Sequence, residues 1–139
     1  MQRSLTELAS DRVTRGLTGL DQPPHPRDVL RVVLNEMLPL HPDARATSRM
    51  NAAYVLEALH DPELREVASV GLREGRDMVE RLIREAMAYG HISADRNLAI
   101  ETDLILSLTG FTPLLELGVI KPEAALAAID QHLDRLFTP

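Results

Sequence analysis

Residues 104–115 (LILSLTGFTPLL) contain no charged side chain, and their apolar groups do not keep to one side of a helix. At about 3.6 residues per turn, Leu104, Leu108, Phe111 and Leu115 face one way, while Ile105, Leu106 and Leu114 cover much of the rest. A surface helix of a small protein normally carries one apolar stripe with a polar face opposite. A helix that is apolar nearly all round has to be covered nearly all round. Twelve residues are too few to cross a bilayer, which takes roughly 20, so the cover must be protein. One side is expected to meet the chain's own core. The other lies either at the centre of the bundle or against a second subunit, and the chain's last helix favours the second subunit.

Length and composition bound the rest. At 139 residues the whole chain, 1–139, is expected to form a single domain with one sizeable core. A formal charge of −6 argues against a nucleic-acid surface, because phosphate binding needs Lys and Arg to displace counterions. Cysteine is absent, which excludes disulfides and thiolate chemistry and fits a reducing, cytoplasmic setting. No signal-peptide core follows Met1, and no apolar run reads as a membrane span. With two Tyr, two Phe and no Trp, the core must be aliphatic. Abundant Leu, Ala, Arg and Glu point to helix throughout.

Residues 2–20 carry Leu5, Leu8, Ala9, Val13, Leu17 and Leu20 at helical spacing, with Ser4 and Glu7 placed as a capping box. The stiff loop DQPPHP (21–26) precedes a short helix, Arg27 to Leu38, stopped by Pro39. A third helix spans about 43–60, with Ala46, Met50, Ala53, Tyr54 and Ala58 along one side. Asp61-Pro62-Glu63 then reads as a helix start. From there Leu64, Val67, Ala68, Gly71, Leu72, Gly75, Met78, Val79, Leu82, Ile83, Ala86 and Met87 fall on one face, until Gly90 ends the helix. Gly71 and Gly75 on that stripe suggest close approach of another helix, or of a ligand; close packing is the simpler reading. Asp95 is placed to cap the central helix, which Pro113 should kink and Gly118 end. Lys121-Pro122-Glu123 opens the last helix, whose stripe is Leu126, Ile129, Leu133, Leu136 and Phe137 beside a slim flank of alanines. The expected architecture is all-α, a bundle of six helices.

No catalytic constellation emerges. Glu57-x-x-His60 fits the helical motif of di-iron bundles, but no second such motif accompanies it. Asp130, His132 and Asp134 read as an ordinary polar face. Phosphate loops and nucleophile elbows are missing. No metal, no cofactor and no enzymatic activity are expected.

The order of the pieces resembles the C-terminal half of a TetR-family transcriptional regulator. MLPL (37–40) followed by Asp43-x-Arg45 resembles the family's loop between its second and third effector-domain helices, and Asp61-Pro62-Glu63-Leu64 its turn into a long helix. Gly90-x-Ile92-x-x-Asp95 and Leu106-x-Leu108-x-Gly110-Phe111 fall where the family has similar segments. Glu123-Ala-Ala-Leu126 with Ile129-Asp130-x-His132-Leu133-x-x-Leu136-Phe137 is very like its final helix. The likeness covers nearly the whole chain. Residues 1–20 resemble the helix linking to a DNA-binding helix-turn-helix, which this sequence does not contain, so DNA is expected to be read only through such an N-terminal domain.

The resemblance implies a homodimer in which the last two helices of each subunit form a four-helix bundle, with Leu104, Leu108, Leu115, Ile129, Leu133 and Leu136 at the interface. It also implies a hydrophobic small-molecule effector held within each subunit, among Met37, Met50, Tyr54, Met78, Leu82, Thr109 and Phe111; the residues themselves add Gly75, whose missing side chain could leave space there, and make Tyr54, with a hydroxyl that needs a partner when buried, the candidate polar anchor. The alternative is a purely structural dimerisation module with a filled interior.

Overall fold

Proline marks where most of the helices begin. The computed structural model describes residues 5–138, and their side chains from Ser10 onward; the capping box expected at Ser4 and Glu7 lies outside these. The elements are α1 (Leu5–Thr18), α2 (Pro26–Met37), α3 (Pro42–Ala58), α4 (Pro62–Ala88), α5 (Leu98–Ser107), a 3₁₀ turn (Leu108–Phe111), α6 (Thr112–Glu116) and α7 (Pro122–Leu136). The expected all-α class holds, with no strand among the described residues.

Pro26, Pro42, Pro62 and Pro122 each occupy a first helical position, where the missing N–H would have had no helical partner. The residue before each one is extended, as the proline ring demands. At three of these starts that residue is also the cap. The Asp61 carboxylate accepts from the Glu63 and Leu64 amides, and the imidazole Nδ1 of His25 and of His41 accepts from Arg27 and Ala44. For α5 the sequence pointed to Asp95. The cap is instead Asn97, whose Oδ1 accepts from the Ile100 amide at 3.1 Å, because residues 93–96 form a turn first. Gly90 and Gly118 take φ of +79° and +71°, and the next amides, of His91 and Val119, reach back to Ala86 and Leu114 at 2.8 Å. This left-handed close suits glycine because a Cβ there crowds the backbone.

At Pro113, where a kink is expected, the chain stays helical but changes its hydrogen-bond pattern. Pro113 has no N–H to give the Thr109 carbonyl, and the chain tightens into the 3₁₀ turn before restarting as α6. Thr109 O accepts instead from the Thr112 amide and from the Thr112 hydroxyl, the latter at 2.9 Å. One sequence expectation needs correcting here. By length and composition alone, Leu98–Glu116 is long and apolar enough to cross a membrane, because it extends beyond the uncharged residues 104–115. In the fold this stretch packs along α4 and buries Glu101, Thr102 and Ile105 on its inner side.

The core is made of Leu30, Val33 and Leu34 from α2 with Leu38 just after it, Ala44 and Ala58 from α3, Val79, Ile83 and Ala86 from α4, Ile92, Ile105, and Ala125, Ile129, Leu133 and Leu136 from α7. Each large aliphatic side chain so buried contributes about 2 kcal/mol of transfer free energy. This overturns part of the expected dimer interface. Ile129, Leu133 and Leu136 are at most 1% exposed within one subunit, so they meet its own core. Nor are Asp130 and Asp134 an ordinary polar face. Arg27 pairs with Asp134 at 2.7 Å and Arg31 with Asp130 at 2.8 Å, clamping α2 to α7. The close helix approach expected at Gly71 and Gly75 occurs at Gly16. There a Cβ would stand 2.7 Å from Val32 Cγ1 as α1 crosses α2, whereas at Gly71 and Gly75 it would meet nothing within 4 Å.

Candidate functional site

Three helices carry an inward row of side chains that is covered along part of its length and open along the rest. On α2 the row runs Leu30, Val33, Leu34, Met37, the spacing of one helical face. The first three are buried and Met37 is 38% exposed. On α3 it runs Ala44, Asn51, Ala58; the outer two are buried and Asn51 is exposed. On α4 Val79, Ile83 and Ala86 are buried, yet Leu72, two turns back on the same row, is 60% exposed. These helices pack on one another, so their inward rows face a common interior. The antiparallel pair α3–α4 turns at His60 and Asp61, so Asn51 and Leu72, about three turns back on either side, stand level. Half-buried Gly75 lies one turn from Leu72 with open space beside its Cα.

Of the side chains named from sequence, Met78 and Leu82 flank this row on α4 and are half-buried, as are Thr109 and Phe111 on the 3₁₀ turn. Leu82 and Phe111 also pack against the core. Tyr54 is half-buried. Met50 is not part of the lining: it is 59% exposed. The apolar side read for α3 was the wrong one, since Ala46, Met50 and Ala53 face outward while Ala44, Thr47, Ser48, Val55 and Ala58 face in. Small and β-branched polar residues on the inner face left helical periodicity with little to detect. Beyond the row, α5 and α6 expose Leu104 together with Ile100, Leu114 and Leu117; Leu108 and Leu115 are half-buried. The exposed faces of α7 carry Ala124 and Ala127.

Sequence reasoning missed the ion pair that joins α3 to α6. Glu116 at the end of α6 is paired with Arg49 of α3, whose Nε donates to the carboxylate Oε2 at 2.8 Å while Nη2 lies 2.7 Å from the same oxygen. The other oxygen, Oε1, is buried and accepts from no described residue. The nearby hydroxyls are committed, Thr109 donating to Leu106 O and Thr112 to Thr109 O. On the outer side of α4 a groove of about 460 Å³ is lined by Glu74, Asp77, Glu80, Arg81 and Arg84, a charged surface of one helix. Next to it Arg76 bridges Glu80 and Asp103, and the bond to Asp103, then that to Glu80, holds its guanidinium above its ordinary pKa. Glu57 and His60 are both exposed. Among the described residues no three His, Asp or Glu side chains are grouped as a metal site would need.

The sequence model of the BetI-type transcriptional repressor C-terminal family matches residues 26–138, about four fifths of the chain. No curated protein and no solved structure matches it. The match begins at the first residue of α2 and takes in every element through α7. The chain belongs to this family of TetR-type regulator C-terminal domains.

Proposed function

We propose that the chain is the effector-binding and dimerisation part of a TetR-like transcriptional regulator, one ligand-binding unit over residues 1–139 that performs no catalysis. The observation that carries the reading is the α4 row, closed at Val79 and open at Leu72. Exposed apolar surface of this kind loses roughly 25 cal/mol for every Å² not buried, and an apolar molecule seated on it recovers that free energy. Met37, Leu72, Met78 and Phe111 offer such a molecule flexible and flat apolar surfaces. The effector is therefore a hydrophobic small molecule.

The same reading makes the protein a homodimer. Ile100, Leu104, Leu114 and Leu117 expose apolar surface along α5 and α6, and the slim alanines of α7 allow a partner's helices to approach. On this reading the acidic chain itself binds no DNA, which is reached only through a separate helix-turn-helix domain.

Screening hydrophobic compounds for thermal stabilisation tests the proposal, since a ligand of the native state must raise its stability. A compound that raises the melting temperature of the parent but not of the Gly75→Leu variant, whose new side chain fills the open space, supports it. If no compound stabilises the parent, the chain is a dimerisation module alone.

A further inference from the structure

We propose that His25 and His91 form a proton-sensitive latch that holds the start of α2 against the ends of α4 and α7, closed while both imidazoles are neutral and loosened as they gain protons.

The two rings meet where three helix ends converge. His25 precedes α2, His91 follows α4, and Phe137 closes α7. The ring centroids of His25 and His91 are 4.7 Å apart with the planes at 62°, and those of His25 and Phe137 are 5.6 Å apart at 61°. Both are edge-to-face contacts, an arrangement that aromatic rings favour. His25 Nδ1 also accepts from the Arg27 amide at 3.1 Å, capping α2. One imidazole thus ties α2 to two other helices and satisfies an amide that the helix itself leaves unpaired. His25 is exposed and His91 half-buried, so protons reach the pair from solvent.

A proton undoes this arrangement in three ways. An imidazolium carries N–H on both nitrogens and has no acceptor, so it cannot cap the Arg27 amide. Its charge sits at a helix N-terminus, the positive end of the helix dipole. Two imidazoliums with centroids 4.7 Å apart also repel each other. The carboxylates around the junction do not offset this. Arg27 already engages Asp28 of α2 at 3.8 Å and Asp134 of α7 at 2.7 Å. Arg96, beyond α4, pairs with Glu101 and donates through Nη2 to the carbonyl of Arg135 at 2.8 Å, which brings a further cation to the end of α7. Asp21, Glu85 and Asp95 are exposed and screened by solvent.

His41 caps α3 in the same way, with Nδ1 accepting from the Ala44 amide, but its Nε2 bonds Glu36 Oε2 at 3.0 Å. A proton there strengthens one bond while it breaks the other. At His25 it strengthens none among the described residues. α2 carries Leu30, Val33 and Leu34 of the core and Met37 of the open row, so acid loosens a helix that serves both.

Melting temperatures of the full chain at about pH 7.5 and about pH 5.5, on either side of the range where imidazole changes charge, test the latch. The parent is expected to lose about 4 °C more than His25→Asn over that interval, because asparagine accepts the same amide and does not titrate. His91→Phe keeps a ring against His25 but cannot charge, and should remove part of the loss. His60→Asn, at an exposed position outside the junction, should leave the loss as it is in the parent. If His25→Asn fails to fold at the higher pH, His91→Phe decides, since it leaves the cap in place. A loss that persists undiminished in His25→Asn or in His91→Phe, or that His60→Asn removes equally, would overturn the proposal.

Discussion

Arg12 Nε donates to Glu36 Oε2 at 2.8 Å, joining α1 to α2 through a pair whose side chains are only 10% and 18% exposed. The same guanidinium reaches α3 through Nη2, which donates to the Thr47 hydroxyl at 3.0 Å. Glu36 Oε2 also receives His41 Nε2 at 3.0 Å. One arginine thus fixes α1 on two helices of the site. Replacing Arg12 by Met should destabilise the fold by about 3 kcal/mol, because the mostly buried Glu36 carboxylate then loses its cation. Urea unfolding checks this, and a loss below about 0.5 kcal/mol, the range of an exposed pair, would show that the contact does not hold α1.

The glycines should respond in opposite directions. At Gly75 a Cβ has open space within a helix, so Gly75→Ala should raise stability by about 1 kcal/mol. At Gly90 φ is +79°, and Gly90→Ala should lower stability by about 1 kcal/mol or more. Matching signs in the two unfolding curves would contradict the backbone reading.

Leu104 and Leu133 offer a second contrast. Leu104 is exposed on α5 and Leu133 is wholly buried on α7. If α5 and α6 are covered by a second subunit, light scattering at micromolar concentration gives a dimer mass, with on the order of 2,000 Å² or more buried. Leu104→Glu should then give a folded monomer. Leu133→Glu should not fold at all, because a carboxylate would be forced into the core. A monomer mass for the parent would end the dimer proposal.

Local chemistry made the helix order legible in the sequence. Asp61-Pro62, Gly90 and Gly118 act within a few residues of themselves, so their roles could be read without knowing any neighbour. The side of an apolar stripe that meets its own subunit is a different matter. Ile129 and Leu104 look alike on a helical wheel, and only the packing of α7 on α2 distinguishes them. On α3 the inner face is built from Ala44, Thr47, Ser48 and Val55, so Met50 and the outward alanines looked like the core side. Arg49 and Glu116 lie 67 positions apart, and no spacing rule links a pair that distant. Gly75 was legible as a special position, although its reason, space rather than contact, was not.

The methionines allow the ligand site to be tested where it is proposed to be. Met37 and Met78 border the open row, while Met50 stands exposed on the outer face of α3. Methyl resonances of labelled methionine, followed while a stabilising hydrophobic compound is titrated, report on each separately. Saturable shifts at Met37 and Met78, with Met50 unmoved, are the expected result. Shifts confined to Met50, or none that saturate, would mean that the open row of α2 and α4 is not where a ligand binds.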